Sequence, residues 1–111
     1  MEIALSRSDR EALLRLAKAC GHRRAVNWLE SVRRDDDGWY AVYMGDMRVY
    51  LTEIVLDFDV ARTVRSGSAF THDLDVLCGL LSHCHQVHIG ADDVMDGNVV
   101  RIVDGVTKLE R

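Results

Sequence analysis

The stretch CGLLSHCHQVH, residues 78–88, gathers side chains that bind metals or act as nucleophiles. Zinc sites take four nitrogen or sulfur ligands, commonly from short Cys-x2–4-Cys or His-x3–5-His loops. If the helix predicted here continues to residue 88, Cys84 or His85 could share an ion with His88, because residues three or four apart lie on one helix face. The β-branched Val87 and Ile89, followed by Gly90, indicate that the helix ends near residue 85. A regulatory metal site at Cys84, His85 and His88 is therefore an alternative interpretation only.

The cysteines do not form a recognisable catalytic pair. Cys84 and His85 are neighbours in sequence, but on a helix adjacent side chains point about 100° apart. The sequence contains no phosphate-binding glycine loop, nucleophile elbow, dinucleotide fingerprint or zinc-protease motif. An odd number of cysteines without framework spacing (Cys20, Cys78 and Cys84) is typical of reduced thiols in a cytoplasm. We predict a non-enzymatic protein without a cofactor.

The length and charge of the chain further limit its possible fold and location. A chain of 111 residues closes a single core, so one α+β domain over residues 1–111 is predicted. No apolar run approaches a membrane span, and the N-terminus does not resemble a secretory signal, so we expect a cytoplasmic protein. Residues 1–34 carry eight Lys and Arg against four Asp and Glu, whereas residues 35–111 carry six against fourteen. A basic segment thus precedes an acidic remainder, and the net charge is −4.

Apolar spacing predicts three helices. Two stripes predict a helical hairpin over residues 8–34, with Gly21 as the left-handed cap of its first helix. Their members are Leu13, Leu16, Ala17, Cys20, Ala25, Trp28, Leu29 and Val32. A third helix is predicted after a break at residues 66–68, capped by Thr71 and buried along one side. Its stripe comprises Leu74, Leu77, Leu81 and Cys84.

Two β-hairpins are predicted in the remaining segments. In WYAVYMGDMRVYL, residues 39–51, Gly45 and Asp46 suit a two-residue turn between alternating strands. A second hairpin is predicted to turn at residues 96–98. The expected fold class is α+β, in which the N-terminal helical hairpin and the third helix pack on an antiparallel sheet built from the two β-hairpins.

The first hairpin supplies the main functional hypothesis. Pairing from its turn places Trp39, Tyr43, Arg48 and Tyr50 on the face opposite the apolar one, and Trp, Tyr and Arg are the usual anchors of protein interfaces. We therefore predict a protein-interaction module that binds another protein, whose identity the sequence does not give. Small acidic adaptors, inhibitors and immunity-type binding proteins share this size and charge. Homodimerisation is left open.

The basic helical hairpin offers a nucleic-acid-binding alternative. Arginines at its second helix could contact phosphates, although the acidic remainder of the chain opposes non-specific binding. The candidate contacts are Arg23, Arg24, Arg33 and Arg34, with Arg15 and Lys18 beside them.

Overall fold

The computed structural model describes residues 1–65 and 70–109, in which helix predominates. The break predicted at residues 66–68 lies outside the described residues. The element order is β1 (Glu2–Leu5), α1 (Arg7–Ala19), α2 (Arg23–Ser31), β2 (Arg33–Arg34), β3 (Tyr40–Tyr43), α3 (Met44–Leu56), α4 (Val60–Arg65), α5 (Phe70–His85), α6 (Ala91–Met95) and α7 (Val99–Leu109).

The two N-terminal helices form where the apolar stripes predict them. Helix α1 begins at Arg7, and its N-cap is Ser6 rather than the predicted Ser8, because the Ser6 hydroxyl accepts from the Asp9 amide at 3.1 Å. Gly21 ends the helix with a φ of 69°, which a residue with a Cβ adopts only at a cost. His22 then begins α2, and its Nδ1 accepts from the Ala25 amide at 3.1 Å.

The sheet has three short strands rather than two hairpins. The strands are antiparallel in the order β1-β3-β2, and β3 pairs on one side with the N-terminal strand β1. The register places Glu2 opposite Tyr43 and Ala4 opposite Ala41, while Arg33 of β2 also lies opposite Ala41. The predicted fold class, with its sheet built from two β-hairpins, is therefore wrong. The missing partner of β3 is supplied by a strand forty residues away, which local spacing does not reveal.

The first predicted β-hairpin is not formed, because its turn residues belong to a helix. Residues 40–43 form β3, but the expected return strand is part of α3, which begins at Met44. Met47, Leu51 and Ile54 are buried and lie three or four residues apart. The apolar residues of this segment, which fit the alternation of a strand over a few positions, therefore also form one face of a helix. Asp46 in the first turn favours the helix through its dipole. Packing of this stripe into the core decides between the two conformations.

The second predicted hairpin is a pair of helices. Gly97 has a φ of 75° and follows the end of α6, and Asn98 precedes α7, where its carbonyl accepts from the Ile102 amide at 3.2 Å. Glycine after a helix and asparagine before one are common boundary residues, and both also favour turns. In α7, Val99 and Val103 are buried four residues apart, so β-branched side chains here line a helix face.

The buried side chains form one contiguous cluster between the helices and one face of the sheet. Helix α5 spans Phe70–His85, and its end and its buried apolar stripe are as predicted. Thr71, the predicted cap, lies within the helix instead. The largest fully buried side chains are Leu5, Leu13, Leu16, Leu29, Val42, Met47, Leu51, Ile54, Leu74, Leu77, Leu81 and Ile89.

Candidate functional site

One face of the sheet is exposed and carries two aromatic rings. Side chains alternate along a strand, so residues 39, 41 and 43 point to one side and their neighbours to the other. Trp39 is 45 % exposed and Tyr43 is 60 % exposed, with the half-buried Ala41 between them. We call this side of the sheet the open face. It comprises Glu2, Ala4, Arg33, Trp39, Ala41 and Tyr43.

The opposite side of the sheet holds the open face in place. Leu5 and Val42 are buried there, and Ile3 and Tyr40 pack against the same core. The guanidinium of Arg10 lies 4.6 Å from the centre of the Tyr40 ring, a cation–π contact from α1. The core packs against one side of the strands, and Trp39 and Tyr43 are exposed on the other.

A groove of about 420 Å³ continues from the open face. It lies where β2 stops pairing, because β2 contacts only Tyr40 and Ala41 of β3 and the chain before it is α2. Its walls come from α2, the sheet and the first turn of α3. The lining residues are Glu2, Trp28, Ser31, Val32, Arg33, Ala41, Val42, Tyr43 and Asp46.

Acidic groups surround this site. Glu2 and Asp46 line the groove against a single basic lining residue, Arg33. The turn between β2 and β3 adds three consecutive aspartates at residues 35–37. The Asp35 carboxylate accepts from the Trp39 amide at 2.8 Å, which fixes the backbone that carries the exposed indole. Carboxylates therefore lie both in the groove beside Tyr43 and in the turn before Trp39.

The structure brings together only two of the four predicted partner-binding residues. Trp39 and Tyr43 share the open face, whereas Arg48 and Tyr50 lie on α3 because that segment is helical. Arg48 Nη2 donates to the carbonyl of Cys84 at 2.9 Å and joins α3 to the end of α5. The half-buried Tyr50 stacks on another aromatic ring, with its centroid 4.8 Å from that of Trp28. Arg48 and Tyr50 thus connect elements of the fold.

The arginines of the nucleic-acid alternative are dispersed. Arg24 lies 3.3 Å from a Glu53 oxygen and 5.7 Å from the Tyr50 ring centre. Arg23 is exposed beside Lys18 at the turn between α1 and α2. Arg23 and Arg24 belong to the first turn of α2, whereas Arg33 and Arg34 form β2.

The remaining arginines have other neighbours. Arg33 lines the groove, and the Arg34 side chain lies over Gly38, so close that a Cβ at Gly38 would come within 3.3 Å of its Nη2. Arg15 is paired with the buried Asp73. The arginines of the basic segment therefore have different neighbours, and carboxylates lie beside Arg15, Arg24 and Arg33.

The cysteine and histidine cluster is also dispersed. Cys84 and His85 are buried and His88 is exposed, and His85 Nε2 lies 3.2 Å from Thr52 Oγ1. Across residues 1–65 and 70–109, the structure holds no group of three or more His, Cys, Asp or Glu side chains arranged to bind a metal ion. Burial raises the pKa of the Cys84 and Cys20 thiols, and it raises the pKa of Cys78 to about 11. These thiols are protonated core side chains near neutral pH.

Sequence reasoning missed the acidic residues of the site. Glu2 reaches Tyr43 only through the pairing of β1 with β3, and Asp46 reaches the groove because α3 begins at Met44. A signal for the first is the short apolar stretch at residues 3–5, which is long enough to form a strand. A signal for the second was the acidic residue that follows Tyr43 closely, which is typical of a first helical turn.

A comparison of this chain with protein-family models, curated proteins and solved structures finds no match. Among the helices in the described part of the chain, none is long and apolar enough to cross a membrane.

Proposed function

We propose that this chain is a small, cytoplasmic, non-enzymatic protein-interaction module that acts as an adaptor or inhibitor by binding another protein through the open face. The observation that supports the proposal is the exposure of Trp39 and Tyr43 on one side of a sheet whose other side is part of the core. Aromatic residues dominate the binding energy of protein interfaces, and truncation of one at the centre of an interface commonly costs about 2 kcal/mol or more.

Order in the unbound protein supports the same proposal. The Trp39 backbone is fixed by Asp35, and Tyr43 lies between β3 and the first turn of α3. Aromatic side chains have few rotatable bonds, so burying them against a partner loses little conformational entropy. A binding surface with an ordered backbone and stiff side chains needs little further ordering when the partner arrives.

Charge favours a protein partner over a nucleic acid. Stacking platforms for single-stranded nucleic acids combine exposed aromatic rings with a basic groove that follows the phosphates. Here the groove beside Tyr43 contains Glu2 and Asp46, and three aspartates follow β2. Phosphates would be repelled by these carboxylates, whereas a partner with basic groups would be attracted to them.

The experiment is a selection of displayed peptides on the immobilised protein, followed by measurement of Kd for the enriched peptides by calorimetry. We expect Trp39→Ser and Tyr43→Ser each to weaken binding by about tenfold. Tyr43→Ser is a mild change for the fold, because Tyr43 is the N-cap of α3 and serine is a preferred N-cap residue.

Val49→Ser is the matched control, since Val49 is 50 % exposed on α3 and does not line the groove. The control variant is expected to bind like the unmodified protein. Melting temperatures of all three variants establish that they are folded. Enriched peptides whose Kd is unchanged by both Trp39→Ser and Tyr43→Ser, or no enrichment at all, would overturn the proposal.

A further inference from the structure

The groove beside Tyr43 has a shape that suits an extended chain. Strand β2 ends its pairing at Ala41, so Val42 and Tyr43 have no strand opposite them on that side within the described residues. The chain before Arg33 belongs to α2 and diverges from the sheet, and the groove occupies the space between them. Extended segments commonly bind where a sheet offers an unpaired strand edge.

The residues that line the groove favour extended segments of a particular composition. Val42 and Trp28 contribute apolar surface at its base, and both are buried. Glu2 and Asp46 contribute carboxylates, both on exposed residues, against the one guanidinium of Arg33. Alternating side chains of a bound segment would meet these two kinds of surface in turn, because side chains of an extended chain point to opposite sides.

We propose that the groove binds an extended protein segment in which apolar residues alternate with Lys or Arg. The basic side chains reach Glu2 and Asp46, and the apolar ones pack against the surface near Trp28 and Tyr43. This inference rests on the proposed function, since it names the chemistry of the partner that the open face would bind. Charge complementarity supports the inference, because the two lining carboxylates of Glu2 and Asp46, against the one guanidinium of Arg33, favour a basic segment over an acidic one.

The probe is a short peptide of alternating Lys and Val, compared with a peptide of equal length in which Glu replaces Lys. Calorimetric titration of the full chain is expected to detect binding of the Lys peptide only, with an affinity that falls as salt is raised. Glu2→Gln and Asp46→Asn are each expected to weaken that binding by about threefold, since exposed ion pairs contribute little individually. The double variant is expected to lose about tenfold.

Asp104→Asn is the control for the loss of one negative charge, because Asp104 is exposed on α7 and does not line the groove. Equal binding of the Glu peptide, no binding of the Lys peptide, or an unchanged Kd in the double variant would each overturn the inference. The proposed function fails separately: it requires that selected peptides of any charge depend on Trp39 and Tyr43. Selected peptides that depend on those rings but not on Glu2 and Asp46 would remove the inference and leave the proposed function standing.

Discussion

The guanidinium of Arg15 binds both carboxylate oxygens of Asp73. Arg15 Nε lies 2.9 Å from Asp73 Oδ2, and Arg15 Nη2 lies 2.8 Å from Asp73 Oδ1. The carboxylate is fully buried, whereas the arginine side chain remains 44 % exposed. The hydrogen bond to Asp73 raises the pKa of Arg15 further above its already high value. A bidentate pair of this kind joins α1 to the first turn of α5 in a fixed orientation.

Removal of Arg15 should destabilise the fold markedly. Arg15→Ala leaves the buried Asp73 carboxylate without its guanidinium, and we expect the free energy of unfolding to fall by about 2 kcal/mol. Arg7→Ala is the matched control on the same helix, because Arg7 pairs with Glu11 in an exposed i,i+4 contact at 3.2 Å. It should cost less than about 0.5 kcal/mol. Urea denaturation measures both, and equal losses would contradict this account of the Arg15 pair.

A glycine at position 86 should stabilise the protein. Gln86 follows α5 with a φ of 53°, in the left-handed region that side chains with a Cβ disfavour. The Val87 amide donates to the Ser82 carbonyl at 3.2 Å, the long bond of a Schellman motif, in which glycine is usual at this position. We expect Gln86→Gly to raise the free energy of unfolding by about 0.5–1 kcal/mol, with part of the gain offset by the more flexible unfolded chain.

Gln86→Ala is the control for loss of the glutamine side chain, because alanine retains the Cβ. Thermal or chemical denaturation should rank the glycine variant above both the alanine variant and the unmodified protein. A glycine variant that is no more stable than the alanine variant would show that the backbone at residue 86 is not strained.

Alkaline pH should destabilise the protein through its buried thiols. Burial is the main cause that raises the pKa of Cys78 from 9.0 to about 11, and the charges of Asp75 and Asp93 act in the same direction. The folded state therefore retains a proton that the unfolded state releases. The contribution is fully present below pH about 9 and is lost as the pH rises through 11, by about 3 kcal/mol in total.

Denaturation measured from pH 8 to 10.5 tests this linkage. Cys78→Ala is expected to be less stable than the unmodified protein at pH 8 and to lose less stability as the pH rises. Cys20 and Cys84 have pKa values raised by burial as well, so some slope should persist in the variant. Parallel pH profiles for the two proteins would exclude Cys78 as a contributor.

Helices whose apolar stripe persists over several turns could be predicted from the sequence. Leu74, Leu77 and Leu81 keep helical spacing across α5, and no alternating interpretation fits them equally well. The segment after Tyr43 is different, because Met44, Met47 and Leu51 fit both an alternating face and a helical stripe. Only the packing of α3 in the core resolves that ambiguity, and local spacing contains no information about it.

The candidate site was predictable only as far as β3 extends. Alternation places Trp39 and Tyr43 on one face, and it is valid for Tyr43 because residues 40–43 are a strand, while Trp39 directly precedes that strand and is also exposed. Beyond Met44 the period changes from two to 3.6, so Arg48 and Tyr50 do not follow the assigned face. Glu2 joins the site through strand pairing across the sheet, which depends on the assembled fold.

The position of β1 has a practical consequence for experiments. The Met1 carbonyl accepts from the Met44 amide at 2.9 Å, so the backbone at residue 1 is held next to the junction of β3 and α3. Any sequence fused ahead of Met1 would leave the domain beside Tyr43. An amino-terminal affinity tag could therefore cover Tyr43 or enter the groove, and material purified with such a tag should have it cleaved before any titration.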